Sequence, residues 1–368
     1  MAYSPQMRRA VGAMGAALDK AGLGRQDRRF AAHGEHEPMP GAPLVLVACS
    51  GGRDSLACAA VAHIACGMRG LRCGAVIVDH RLQEGSARVA RRAADDCEAL
   101  GLAPVSVREV EVGSAPAGLE AAARTARYDA LVDAARELQA AVVLLAHTRD
   151  DQAEGILIDL MRATGTDALA GMPAMQVVHG VRFLRPFLDL SRADTTAICG
   201  QLGLDYWDDP TNGEAWPADE PLPDGYPLRS RVRHTLLPQF SRFAGTDMAC
   251  RLAQGARIAR RDVEFLDSLA AQAEARAVQY AGDGARLDAR LLAGEPEAIR
   301  WRVIAHVLAR CAPGSGERHV RAVEALVSSW RGQGAVELPR KHSAIRKKHV
   351  IEVCEDVTHA NRRRARRD

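Results

Sequence analysis

Five groups of residues have types and spacings that could do chemistry. The hexapeptide Ser50-Gly51-Gly52-Arg53-Asp54-Ser55 joins two adjacent glycines to two hydroxyls and a carboxylate. Adjacent glycines let the backbone turn sharply and come close to a ligand. If a helix starts there, its unpaired N–H groups and positive dipole end complete a nest for phosphate oxygens. A carboxylate beside phosphate needs a divalent cation between them, so Asp54 points to Mg2+. The plainer use of the same residues is a glycine turn with an Asp/Ser helix cap. Asp79 and His80 form a polar pair directly after an apolar run. Arg124 and Arg127 stand three apart, which puts both guanidiniums on one helix face and suits phosphate or adenylate. His147, Asp150 and Asp151 follow a fourth apolar run, with His147 and Asp151 four apart. Arg229, Arg231 and Arg233 alternate, as basic residues along one face of an extended stretch would.

These groups fall at the ends of regular segments. Residues 44–49, 74–79, 104–112 and 141–147 read as apolar strands, and 55–66, 85–100, 119–139 and 151–163 as helices between them. Alternation of this kind predicts an α/β fold: a doubly wound, mostly parallel sheet covered on both faces. Ligands of such sheets bind beyond the carboxyl ends of the strands, where the hexapeptide, Asp79–His80 and His147–Asp151 all lie. Residues 4–20 read as a lead-in helix, followed by a linker to about 41. A short β-like pair at 175–184 precedes a helix that Ser191 and Asp194 open as a capping box. Residues 208–228 form a long loop rich in Pro, Gly, Asp and Glu. A domain boundary is expected near 245, giving a nucleotide-binding domain at 42–245 and a smaller, mainly helical domain at 246–360. The latter has helices at 247–280 and 296–330 and short strands or a hairpin at 333–354. Residues 361–368 hold five arginines and no apolar anchor, and are expected to be disordered.

Composition narrows the function. The chain has 368 residues, enough for two domains. Its nine cysteines include no CxxC pair, which argues against zinc or iron–sulfur ligation and for reduced thiols in a cytoplasmic protein. No signal-peptide pattern is seen and no apolar run nears the roughly 20 residues of a membrane span. No GxxxxGK[ST] and no strand-end GxGxxG occurs, which removes the usual kinase, GTPase and dinucleotide readings. Residues 246–368 hold 23 Lys+Arg against 16 Asp+Glu, a net +7 that leaves −4 for residues 1–245. A basic second half suits a polyanionic partner.

SGGRDS after a buried strand resembles the PP-loop of the ATP pyrophosphatases, which cleave ATP between the α and β phosphates. Further segments resemble one branch of that superfamily, the tRNA(Ile)-lysidine synthetases. They are VDHRLQEGS (78–86), AARTARYDAL (122–131), LLAHTRDDQAEGILIDLMRATGTDALAGM (144–172), FLRPFLDLSR (183–192), DDPTN (208–212) and LRSRVRHTLLP (228–238). They cover about half the chain in family order. Where the family usually has His, Thr and Asn, this chain has Thr148, Gly155 and Ser230.

The resemblance implies an enzyme that uses ATP and Mg2+ to ligate free lysine to the wobble cytidine of the CAU anticodon in an isoleucine tRNA. It admits a homodimer. It implies that Ser50 to Ser55 with Asp79 and His80 bind ATP, and that Asp54 and Asp151 hold the metal. It places Asp54, Arg127, His147, Asp151 and Arg231 in catalysis. Arg229, Arg233, Lys341, Arg346, Lys347 and Lys348 are then the expected tRNA contacts. Two other readings stay open: a tRNA thiolase of the same superfamily, which would need a persulfide cysteine or an iron–sulfur cluster, and a non-catalytic RNA-binding relative.

Overall fold

A computed structural model describes residues 3–32, 37–81, 85–113, 119–162, 165–217 and 219–355. The arginine-rich tail at 361–368, residues 82–84 of the second motif and residues 163–164 of the fourth lie outside the described residues. The chain forms two compact units, Met1–Arg260 and Arg261–Asp368.

The first unit is built on a six-stranded sheet. Its strands are β1 (Leu44–Ala48), β2 (Arg72–Asp79), β3 (Val105–Glu109), β4 (Ala140–Leu144), β5 (Met175–Val178) and β6 (Val181–Leu184), in the order β3-β2-β1-β4-β6-β5. All pairings are parallel except β5 with β6, a hairpin at the edge. β1 is central, and Leu44 to Val47 are buried on both faces, so the run lacks apolar–polar alternation. This is the doubly wound sheet that strand–helix alternation predicts.

Five helices cover the sheet in sequence order: α2 (Arg53–Gly67), α3 (Ser86–Ala99), α4 (Leu119–Glu137), α5 (Arg149–Arg162) and α6 (Arg192–Leu202). Before them comes α1 (Pro5–Lys20), which Ser4 caps by accepting the Met7 amide at 3.2 Å. Met7, Ala10, Met14 and Leu18 of α1 are buried in the same core as β1 and α2. The expected lead-in helix is therefore an integral layer of the first unit. Ser191 and Asp194 cap α6 reciprocally, as their spacing predicts.

After α6 the chain runs through α7 (Leu228–Arg231), a π-helical turn (Val232–Leu236) and α8 (Leu237–Ala244) into α9 (Met248–Ala277). Residues 229–233 are thus helical, not extended. Helical spacing puts Arg229 and Arg233 on one side and Arg231 on another. The two units divide within α9, beyond the boundary expected near 245. Met248, Ala249 and Leu252 pack with Ala153, Leu157 and Val232 of the first unit, which is why its core does not end at Gly245.

The second unit has α10 (Ala289–Ala293), α11 (Glu297–Cys311) and α12 (Glu317–Ser328). It also carries an antiparallel sheet of β7 (Val278–Ala281), β8 (Gly284–Asp288), β9 (Val336–Leu338), β10 (His342–Lys347) and β11 (Val350–Glu355), ordered β7-β8-β11-β10-β9. Strands in 333–354 match the expected hairpin. β7 and β8 add more β structure than the sequence suggests, because four- and five-residue strands carry little periodicity. Leu287, Ile351 and Val353 pack with Val303, Val307, Val323 and Leu326 to form this unit's own core.

Candidate active site

The glycine turn connects β1 to α2 across the carboxyl edge of the sheet. Gly51 has φ +77°, a left-handed conformation, and a Cβ there would lie 3.0 Å from the Ala93 side chain of α3. Both facts require glycine. Gly52 occupies the N-cap of α2 and no side chain caps the helix, so the start of α2 is open to a ligand. Ser55 fixes the turn from within: its hydroxyl donates to the Gly52 carbonyl at 2.8 Å and accepts the Ser50 amide at 3.1 Å.

Asp54 accepts a hydrogen bond from the buried Thr195 hydroxyl of α6. Its carboxylate lies 3.7 Å from Arg192 and 3.7 Å from Arg53. Burial pushes the Asp54 carboxyl above the ordinary carboxylate range, although Thr195 and Arg192 favour the ionised form.

Arg192 is the hub on the other side. It reaches Asp54, Asp151 at 3.5 Å and the fully buried Glu154 at 3.3 Å, while its backbone amide donates to Asp150 at 2.8 Å. Arg233 makes a two-toothed contact with Glu154, at 2.7 and 3.1 Å, and donates to Asn212 at 3.0 Å. Arg229 and Arg233 stand 3.7 and 3.8 Å from Asp151. Thr148 supplies Asp151 with its amide at 2.8 Å and its hydroxyl at 2.9 Å. Thr148, a departure from the family pattern, is thus the fully buried partner that caps α5 through Asp151. Burial opposes the Asp151 charge, but Arg192, His147, the Thr148 amide and Arg229 together hold its carboxyl below the ordinary range.

Two histidines face the same space. Burial drives His147 down to about 4, so it is neutral at pH 7, and its Nδ1 is buried without a hydrogen-bond partner among the described residues. His80 accepts from Arg127 Nε at 3.2 Å, and burial together with that guanidinium lowers its pKa.

These groups enclose one cleft of about 290 Å3, walled by Ser50 to Ser55 (Gly51 excepted), His80, Arg127, His147, Arg192, Asp208, Asn212, Glu214 and Arg233. The structure therefore brings together most of the sequence-predicted residues. Asp79 does not line the cleft and instead accepts the Arg81 amide at 2.9 Å, a strand-end turn cap. Arg124 lies over the Tyr128 ring, 5.2 Å from its centroid. Asp151 sits behind Arg192 rather than on the wall. Arg231, expected to be catalytic, pairs at 2.6 Å with the exposed Asp224, whereas Arg233, expected to hold tRNA, lines the cleft. In the second unit Arg346 stacks on Trp330 at 4.6 Å and donates to the Leu326 and Lys348 carbonyls. It is an internal brace, while Lys347 and Lys348 are exposed.

Sequence reasoning missed Arg192, Glu154, Thr195 and Glu214. Arg192 and Glu154 stand inside two of the matched segments, so a signal existed. A charged residue inside a matched segment that the resemblance leaves without a role was that signal. Among the described residues no group of three His, Cys, Asp or Glu side chains could hold a metal. Asp54 is the carboxylate at the phosphate turn, so a cation there would complete its shell with ligand oxygens, as Mg2+ commonly does.

The geometry defines a PP-loop nucleotide-binding domain, and the family model described as the PP-loop domain matches residues 27–240. A tRNA(Ile)-lysidine synthase from Bifidobacterium animalis subsp. lactis is 56% identical over 100% of both chains. One from Bifidobacterium longum subsp. infantis is 53% identical over 98% of this chain and 100% of the relative. A third, from Leifsonia xyli subsp. xyli, is 45% identical over 83% and 89%. This chain belongs to the tRNA(Ile)-lysidine synthase family of PP-loop proteins.

Proposed function

We propose that this chain ligates free lysine to the wobble cytidine of the CAU anticodon of an isoleucine tRNA, consuming ATP and releasing AMP and pyrophosphate. One observation carries the reading: a single cleft faces the phosphate turn toward a buried arginine–carboxylate cluster, in a chain that matches lysidine synthases over its whole length.

In the first step the cytidine 2-carbonyl oxygen attacks the α-phosphorus, the α–β bond breaks and pyrophosphate leaves. Negative charge grows on the departing group and around the α-phosphorus. The open start of α2, the Ser50 hydroxyl and Arg53 meet the former. Arg127, Arg192 and Arg233 face the latter from prearranged positions, which is the most effective form of electrostatic stabilisation. In the second step the lysine ε-amine adds to C2 and loses a proton, and the C2–O bond breaks to release AMP. Neutral His147 offers a hydrogen bond to substrate or phosphate without adding charge. Mg2+ fits at Asp54, with Asp151 behind it, and when bound would neutralise charge on the phosphates.

The target base must leave its stack, which costs little in a single-stranded anticodon loop. Arg229 and Arg231 on α7, with Lys341, Lys347 and Lys348 of the second unit, are the cations proposed to contact the tRNA backbone. Such contacts release counterions, so affinity should fall by about 0.7–0.9 log units per contact for each decade of salt.

The test is incubation with ATP, labelled lysine and bulk tRNA. Lysine label in tRNA with matched AMP and pyrophosphate is expected. ATP consumption with no lysine transfer, or transfer of sulfur in its place, would overturn the proposal.

A further inference from the structure

The long loop after α6 does not hang free. The Trp207 amide donates to the Gly51 carbonyl at 3.0 Å, which docks the chain directly on the glycine turn. Asp209 then caps a short turn, Pro210–Asn212, by accepting the Thr211 amide at 2.9 Å. Asn212 is anchored by Arg233, itself fixed by the buried Glu154. Gly213 closes the turn at φ +74° and packs against Leu222, whose amide donates to Thr235 at 3.0 Å. Glu214 is the next residue. It projects from a segment tied down on both sides, and it reaches Arg53 Nη2 at 3.2 Å.

Arg53 is the fourth residue of the phosphate turn. Its guanidinium lies 5.7 Å from the Tyr206 ring centroid, and its side chain is only 12% exposed. Its Nε is buried, has no hydrogen-bond partner among the described residues and faces the Asp54 carboxylate at 3.7 Å. An unsatisfied buried donor on a cation is costly unless a ligand supplies the acceptor. Arg53 and Glu214 both line the cleft.

We infer that Glu214 is a positioning residue for ATP: by holding the outer edge of the Arg53 guanidinium, it turns the remaining N–H groups toward the phosphates cradled by residues 50–55. The assignment rests on the proposed use of ATP, and it gives the long loop a role in nucleotide affinity. Arg53 alone, at the first position of α2, has many rotamers. Glu214 selects one, and preorganisation of this kind shows up as affinity.

The experiment is equilibrium binding of α,β-methylene-ATP, which cannot be cleaved at the reacting bond, to the full-length protein. Glu214→Ala should weaken binding about tenfold, the scale of one charge-assisted hydrogen bond. Glu214→Gln, which keeps an acceptor, should lose about threefold. Arg53→Ala should also lose about tenfold, and the double variant should be no worse than Arg53→Ala alone. In turnover the loss should fall on KM for ATP and leave KM for lysine unchanged. Binding by Glu214→Ala that equals or exceeds the unaltered protein would overturn the inference, as would multiplying losses in the double variant. If Glu214→Ala fails to fold, the same cycle with Glu214→Gln decides on the same criterion. An unaltered protein that binds the analogue but transfers no lysine would sink the functional proposal and leave this assignment standing.

Discussion

The two walls of the cleft are made in opposite ways. The phosphate turn is local: six consecutive residues, two of them glycines, with backbone groups as the binding surface. The facing wall is Arg192 and Arg233, backed by Asp151 and Glu154; these four lie on α5, α6 and the π-helical turn and meet only when those elements pack. The first wall stores its charge in a helix dipole and open amides. The second stores it in side chains that are buried, mutually neutralised and costly to unpair. Failure of the first should therefore cost chemistry, and failure of the second should cost folding before chemistry.

The sharpest way to break that contrast is Glu154→Ala. It leaves Arg192 and Arg233 without their shared, fully buried partner, and should destabilise the first unit by about 3–5 kcal/mol. A denaturant midpoint close to that of the unaltered protein would show that the cluster is solvated and not structural. Asp54→Ala is the counterpart on the other wall. It should lower turnover by about 10²–10³ with the fold intact. Near-normal pyrophosphate release by a folded variant would remove Asp54 from the metal and phosphate site.

Arg127 and Arg136 refine the comparison, because both stand on α4. Arg127 lines the cleft and donates to His80, whereas Arg136 does not line it and donates to the His179 carbonyl. Arg127→Ala should lower kcat/KM by roughly tenfold or more, the worth of a charge-assisted contact, and Arg136→Ala should leave it nearly unchanged. Equal effects would reduce α4 to scaffold.

His147 extends the comparison to the pH dependence of stability. Its folded-state pKa, about 4, lies below the ordinary value of 6.5. Between those values the unfolded chain binds a proton that the folded chain does not. Stability is thus complete above pH 6.5 and declines as pH falls toward 4, by about 1–3 kcal/mol from this group. The slope of stability against pH over that window should flatten in His147→Gln. An unchanged slope would mean that His147 is not buried as a neutral ring.

The difference between the walls also explains what the sequence made legible. Ser50 to Ser55 could be read because glycine adjacency and the strand–helix context are local signals. Asp79 and His80 were located correctly at a strand end, but nothing local separates a turn cap from a ligand contact, and only His80 reaches the cleft. The alternation of Arg229, Arg231 and Arg233 suggested an extended run. Helical spacing instead sends Arg229 and Arg233 toward Asp151 and Arg231 toward Asp224. Arg192 stood inside a matched segment, but nothing local marked it as the hub, since its partners sit about 40 to 140 residues away. The first unit's extension to Arg260 was hidden for the same reason: Met248 and Leu252 find their partners on α5 and the π-helical turn. Local chemistry is written in order along the chain, and a buried charge cluster is written only in the packing.

The most direct measurement compares two transcripts of the isoleucine tRNA, one with cytidine at the wobble position of the CAU anticodon and one with uridine there. With ATP, Mg2+ and labelled lysine, the cytidine transcript should take up lysine and release pyrophosphate in equal amounts, and the uridine transcript should do neither. Equal lysine uptake by both transcripts, or pyrophosphate release with no lysine on the cytidine transcript, would contradict the account.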